Sequence, residues 1–350
     1  MNIAISKFLS YFRLKNIGYF LFLVLIYFCF FYPIHQNTDY LGYKYIYTQC
    51  DWFNYEFVFR KISEFFYNRG YSFEFFYQSF YVLMMLIWGI LINKLSKKRI
   101  LLLLFSFPLI YIFMVNQIRY YFAFPVFLLG LYYFVFDNKK IAGGILFLLS
   151  FLSHSSIFLL FAIVPLYYID IRKKIGVLQF FIFLLFIFLL LMFFNYGVRF
   201  FSVFNIKSFS GYLSTSMNFS GFLFLLLPGL TYISTIYLLN KSFSRYHFLY
   251  EDKLLNFLFK TSLFPFMLIG VFGNNSNLIS RFINPFVVIW NATIFRYIYL
   301  SKRKYLVWIP IVCLLLTLFE LFFLLSLLKH GSLLNGNLEE LVYIINGFEY

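Results

Sequence analysis

The sequence predicts an all-α, polytopic integral membrane protein with about eleven transmembrane helices. Three observations predict it. Of 350 residues, 63% are hydrophobic and only 12% charged, a balance unlike that of a soluble globular domain. Apolar runs long enough to cross the ~30 Å hydrocarbon core recur from end to end. Basic residues gather in short segments between those runs, the pattern of cytoplasmic loops. Residues 1–350 read as one transmembrane domain.

Lys7, Arg13 and Lys15 precede the first apolar run, 17–34. The order resembles a signal sequence, but "FYPIHQ" lacks a small-x-small cleavage site, so the run reads as an uncleaved first span. A large outward loop follows, 35–70, holding His35, Asp39, Asp51, Glu56, Arg60 and Glu64. Within it Asp39, Tyr43 and Tyr47 are spaced by four and share one face of a helix. "YEFVFRKISEFFYNRG" is amphipathic and suits the membrane interface.

The next spans are 71–93, 100–115 and 120–136. They are punctuated by "KLSKKR" at 94–99 and "DNKK" at 137–140. Segments 141–153 and 155–169 must then form a hairpin if "RKK" at 172–174 is to stay inside. Each arm has about 14 residues, or about 21 Å as α-helix, short of a full crossing. The expected break is Ser153-His154-Ser155-Ser156. Irregular backbone at that depth requires protein or a wet cavity around it. Spans 175–197, 221–239, 254–273, 281–300 and 305–328 complete the threading. A second outward loop, 198–220, lies among them, and an outward tail, 329–350, follows the last.

This threading accounts for the net charge of +16 without nucleic acid. The three cysteines, Cys29, Cys50 and Cys313, form no metal spacing and no disulfide framework. No metal or cofactor is expected. Polar residues that the basic loops do not explain fall on the outer side: Asp39 and Glu56, then Asn116, Gln117 and Arg119, His154, and Arg281. Ionisable residues at such depths mark functional sites. Arginine makes planar, bidentate contacts with phosphate, and a helix N-terminus adds N–H groups for an anion. Arg119 and Arg281 each open an apolar run, and His154 sits at the hairpin break. A carboxylate near the surface, Asp39 or Glu56, can serve as general base on a sugar hydroxyl.

The run "NQIRYYFAFPVFLLGLYYF" and the later "ILFLLSFLSHSSIFLL" resemble the signature of EpsG-like, Wzy-type bacterial polysaccharide polymerases. The matching positions are Asn116, Ile118, Arg119 and Ala123, then His154 and Ser156. Asp39, Tyr43 and Tyr47 are similar to the family's Asp-x3-Tyr-x3-Tyr start. Tyr55 and Glu56 are similar to its Tyr-Glu-Pro-Gly-Phe segment, with Phe-Val in place of Pro-Gly. Tyr120 stands where the family carries Gln.

The resemblance implies a glycosyltransferase of the bacterial cytoplasmic membrane with its active face outward. It joins repeat units carried on undecaprenyl pyrophosphate, with a chain-length regulator as an expected membrane partner. On this reading Arg119 and Arg281, with Asn116 and Gln117, bind the pyrophosphate. Asp39, Glu56 and His154 are catalytic, and Tyr43 and Tyr47 contact sugar. An O-antigen ligase or a lipid-linked oligosaccharide flippase is the competing reading. A transporter calls for charge along a pathway through the bilayer, and mid-span charge here is sparse, chiefly Lys260 and Glu320.

Overall fold

The computed structural model describes residues 38–52, 55–96, 117–168, 252–272 and 284–300, with positions 99, 102, 103, 106, 114 and 185 beside them. The expected spans 17–34, 221–239 and 305–328 lie outside the described residues, as do all but single positions of 100–115 and 175–197. So do the outward segments 198–220 and 329–350, and His35, Asn116 and Arg281.

Every described element is helical. They are α1 (Thr38–Thr48), α2 (Phe57–Tyr67), α3 (Phe73–Leu95) and α4 (Ile118–Leu131), continued by a π-helical turn, Tyr132–Phe136. Then come α5 (Lys140–Ser153), a 3-10 segment (Ser155–Tyr168), α6 (Lys253–Phe272), a 3-10 turn (Asn284–Phe286) and α7 (Val287–Leu300). Two stretches are long and apolar enough to cross a membrane among the described residues, Phe73–Leu95 and Ile118–Phe136.

The short arms meet where the sequence placed the break. The α5 helix ends at Ser153, and His154 is extended (φ −159°, ψ 115°). Phe147 and Phe161, seven residues to either side of His154, bring their rings to 5.2 Å, so the two arms fold back on each other. The second arm is a 3-10 helix of 14 residues, and a rise of ~2.0 Å per residue lengthens it to about 28 Å. The length deficit of that arm is thereby largely removed.

Lipid tails are as apolar as the side chains, so helices in a bilayer associate through close packing. The α4 and α5 helices do this at two glycines. A Cβ on Gly143 would lie 2.6 Å from Phe134 Cβ and 2.8 Å from the Gly130 carbonyl oxygen. Phe127 packs on Phe147, ring centroids 5.3 Å apart. The two helices are therefore antiparallel. On its other side α5 exposes Ile141, Ile145, Leu148 and Phe151, an apolar stripe at helical spacing.

The α3 and α4 helices run parallel: Phe80 meets Phe122, Trp88 meets Phe124, and Lys94 Nζ lies over the Tyr132 ring. Pro125 stands inside α4 and has no N–H to offer the Tyr121 carbonyl one turn earlier. Trp88 Nε1 donates to that carbonyl at 2.8 Å. A freed carbonyl in an apolar interior needs such a donor. A second tryptophan links α6 and α7, where Trp290 Nε1 donates to the Ser262 carbonyl at 2.9 Å.

The amphipathic stretch forms α2, and Gly70 (φ 73°) turns the chain from α2 toward α3. Ser72 caps α3 by accepting from the Phe75 N–H at 3.2 Å, and Glu74 lies in its first turn. Both features favour a helix start there. Tyr40 of α1 packs edge-on against Phe73 and Tyr77, while Phe59 of α2 packs on Phe76 and Phe80. Helices α1 and α2 thus sit on the N-terminal end of α3, beside the N-terminus of α4.

Candidate functional site

Arg119 lies in the first turn of α4, and its guanidinium turns toward α1 and α2. Its Nη1 donates to Glu56 Oε2 and its Nε donates to Tyr43 Oη at 3.2 Å. The Tyr55 ring lies 4.3 Å below Cζ, and the rings of Tyr43 and Phe59 lie within 6 Å. Cation–π attraction and two directed hydrogen bonds hold the planar fork in one orientation. The two charged side chains keep only 22% and 18% of their surface, so this pair is more desolvated than a surface salt bridge.

Each partner owes its place to a local feature. Glu56 is the N-cap residue of α2, in extended backbone, and its side chain makes no cap hydrogen bond. The carboxylate is therefore directed out of its own helix. Oε1 accepts from the Ser155 backbone N–H at 3.4 Å, a long contact, and stands 4.0 Å from His154 Nδ1. Tyr43 is presented by the buried face of α1, which also carries Tyr40 and Tyr47. His154 is delivered by the hairpin break and packs edge-on against Tyr120, centroids 5.5 Å apart.

Electrostatics reinforce the geometry. Burial by itself raises the proton affinity of Glu56. The Arg119 guanidinium, then His154 and two backbone N–H groups outweigh it and hold the carboxyl below the usual carboxylate range. Glu56 is thus an anion at neutral pH and a weak base while Arg119 is in place. The Ser156 N–H points at His154 Nδ1 from 3.3 Å, and Ser156 Oγ lies 2.7 Å from the same atom. A backbone N–H can only donate, so the neutral ring accepts at Nδ1 and carries its proton on Nε2. The approach to Glu56 becomes an ion pair only with the ring protonated. His154 is therefore fixed as an N–H donor by its neighbours.

The sequence-expected residues divide. Glu56, Arg119, His154 and Tyr43 converge on one cluster. Gln117 ends just outside α4 as its N-cap, and its side-chain oxygen is buried with no hydrogen-bond partner among the described residues. Asp39 lies in the first turn of α1, one turn before Tyr43. Tyr47 stands apart from the cluster. Its ring stacks on Phe76 at 5.1 Å and its hydroxyl donates to the Tyr71 carbonyl at 3.0 Å. Burial pushes that hydroxyl up to about 12, which removes it from proton transfer near neutral pH.

Tyr55, Phe59, Ser155 and Ser156 complete the cluster. Threading named Ser155 and Ser156 only as part of the hairpin break, Tyr55 was visible only as a motif position beside Glu56, and Phe59 was not singled out. Lys260, the mid-span lysine, is buried and donates to the Tyr167 carbonyl at 3.4 Å, away from this cluster.

No curated protein and no solved structure matches the chain. The EpsG family model matches residues 17–338. The described residues are all helical and include two apolar candidate spans, and on the family match the chain belongs to the EpsG family.

Proposed function

We propose that this chain is a glycan polymerase that joins undecaprenyl-pyrophosphate-linked repeat units at the outer face of the cytoplasmic membrane, for O-antigen, capsule or exopolysaccharide synthesis. Family membership points to a glycosyltransferase-like polymerase of polysaccharide synthesis and to a lipid-linked oligosaccharide substrate. The observation that carries the reading is the fixed orientation of Arg119. Glu56 and Tyr43 engage Nη1 and Nε, and among the described residues Nη2 is the remaining donor edge for an incoming phosphate.

The reaction breaks the bond between the anomeric carbon and the pyrophosphate of the donor. It forms a bond from that carbon to an acceptor hydroxyl oxygen. The hydroxyl proton goes to a base, and undecaprenyl pyrophosphate leaves. Arg119 and the Nε2–H of His154 stabilise the leaving diphosphate. Glu56 neutralises Arg119, so the cluster with a neutral imidazole has no net charge to offer a dianion. A further cation is required, and Arg281 is assigned that role, with Asn116 and Gln117 as polar contacts at the start of α4. Glu56, anionic and weakly basic, positions Arg119, and Ser156 orients His154. Asp39, one helical turn from Tyr43 in sequence, is assigned as the base. Tyr43 orients Arg119 instead of stacking on sugar.

The proposed threading has eleven spans, the N-terminus inside, and loops 35–70, 198–220 and the tail 329–350 outward. The parallel pair α3–α4, the antiparallel pair α4–α5 and the hairpin at His154 support it. All three place Arg119 and His154 at one end of the bundle. A chain-length regulator remains a proposed partner in the membrane.

The test is the surface-glycan ladder of a deletion strain complemented with variants. Arg119→Ala that inserts normally is expected to leave single repeat units. Full-length polymer from that variant overturns the reading. Polymer stranded on its lipid identifies a ligase, and undelivered repeat units inside the cell identify a flippase. Asp39→Asn with Glu56→Gln at full activity removes both carboxylates as the base.

A further inference from the structure

The end of the bundle remote from Arg119 carries a polar cavity. The α3 helix has 23 residues, about 34 Å at 1.5 Å per residue, so Lys94 stands a bilayer's depth from Glu74. A cavity of about 340 Å³ lies there, between the end of α3, the π-helical turn and residues of α6 and α7. Its polar wall is Asn93, Lys94, Arg99, Asp252, Lys253 and Arg296. Among the described residues of the wall, four cations stand beside one carboxylate.

That carboxylate is already engaged. Asp252 Oδ1 accepts from the Leu255 N–H at 2.7 Å and caps α6. Its two oxygens also accept from Arg296, Nε to Oδ1 at 3.1 Å and Nη2 to Oδ2 at 2.5 Å. The bidentate pair ties α6 to α7 and leaves Asp252 little capacity for another cation. Lys94 Nζ lies over the Tyr132 and Tyr133 rings, at 5.6 and 5.2 Å. Neither Lys94 nor Lys253 has a carboxylate partner among the described residues.

Asn93 also lines the cavity, and its side-chain oxygen is buried with no hydrogen-bond partner among the described residues.

We propose that this cavity is an anion site for a phosphate group, distinct from the Arg119 cluster. Clustered cations in a pocket between helix ends are suited to a phosphate carrying more than one negative oxygen. The phosphate belongs either to an anionic phospholipid headgroup or to a soluble phosphate compound. The inference rests on the cavity alone and does not depend on the polymerase reading.

The experiment uses the full chain in nanodiscs of phosphatidylcholine, with and without phosphatidylglycerol. Native mass spectrometry counts the lipids retained, and thermal shift with inorganic pyrophosphate, run on Arg119→Ala protein so that the Arg119 cluster does not contribute, tests the soluble source. The variant is Lys94→Gln with Lys253→Gln, which leaves the Asp252–Arg296 pair intact. A lipid source predicts preferential retention of phosphatidylglycerol that falls at least fivefold in the variant. A soluble source predicts stabilisation by pyrophosphate that the variant loses. Arg119→Ala keeps either response. Equal binding by wild type and variant, no binding of either probe by the wild type, or loss of binding in Arg119→Ala overturns the proposal. If the double variant is unstable, Lys253→Gln alone replaces it: binding weakened severalfold supports the site, and unchanged binding overturns it.

Discussion

Arg119 Nε donates to the hydroxyl of Tyr43 at 3.2 Å, across 76 residues of chain, while Nη1 of the same guanidinium holds Glu56. A side chain at the start of α4 is thereby tied to both helices of the first loop. Removing Glu56 leaves a largely buried cation without its counter-ion. Glu56→Ala is expected to lower stability by about 1.5–3 kcal/mol. The double variant with Arg119→Ala is expected to cost less than the sum of the two singles. Apparent melting temperatures in nanodiscs check this, and strict additivity contradicts the coupling.

Arg119→Lys keeps the charge and loses the planar fork. A lysine ammonium is a point donor that cannot hold Tyr43 and Glu56 while presenting a third edge. Polymer yield is expected to fall at least tenfold at unchanged protein level, a loss of at least about 1.4 kcal/mol in transition-state binding. Near-wild-type yield would mean that charge alone suffices.

The lowered proton affinity of Glu56 sets a pH window. The unfolded chain binds the proton at a higher pH than the native chain does, so stability rises with pH between the two values. The contribution of the pair is complete above the unfolded carboxyl value of about 4.3 and is lost as pH falls through the depressed native value. Melting temperature measured from pH 3 to pH 7 is expected to drop on the acid side. Glu56→Gln is expected to flatten that limb.

Two neighbouring glycines separate packing from helix propensity. Gly143→Ala places its Cβ against Phe134 and the Gly130 carbonyl, whereas a Cβ on Gly144 meets nothing within 4 Å. Gly143→Ala is expected to destabilise by about 1–3 kcal/mol through overpacking. Gly144→Ala is expected to be neutral or to gain up to about 1 kcal/mol. The reverse order of melting temperatures would contradict the α4–α5 contact.

Trp88→Phe strips the Tyr121 carbonyl of the donor that replaces the missing Pro125 N–H. The expected cost is about 1–3 kcal/mol. Pro125→Ala restores a helical N–H at that place, so the two changes together are expected to cost less than Trp88→Phe alone. Double-mutant melting temperatures decide it.

Much of the fold is legible in the chain itself. Apolar runs delimit spans because a bilayer leaves the backbone no alternative to internal hydrogen bonding. The expected 71–93, 120–136, 141–153, 155–169 and 254–273 therefore recur as helices Phe73–Leu95, Ile118–Phe136, Lys140–Ser153, Ser155–Tyr168 and Lys253–Phe272 within two residues at each end. Within the 281–300 run the described residues form a 3-10 turn, Asn284–Phe286, and an α-helix, Val287–Leu300. The polar residues stranded between runs, and their motif spacing, singled out Glu56, Arg119 and His154 because charge in an apolar chain is costly enough to stand out.

Composition and period determined the helices and the charged residues to suspect. They carried no partner for any of them, since hydrogen bonds between residues 63 or 76 apart depend on how helices cross. Tertiary structure alone decided that Glu56 and Tyr43 grip Arg119, that Tyr47 packs inward, and that Trp88 answers Pro125. Each follows from close packing, which assigns a specific neighbour to every buried polar atom.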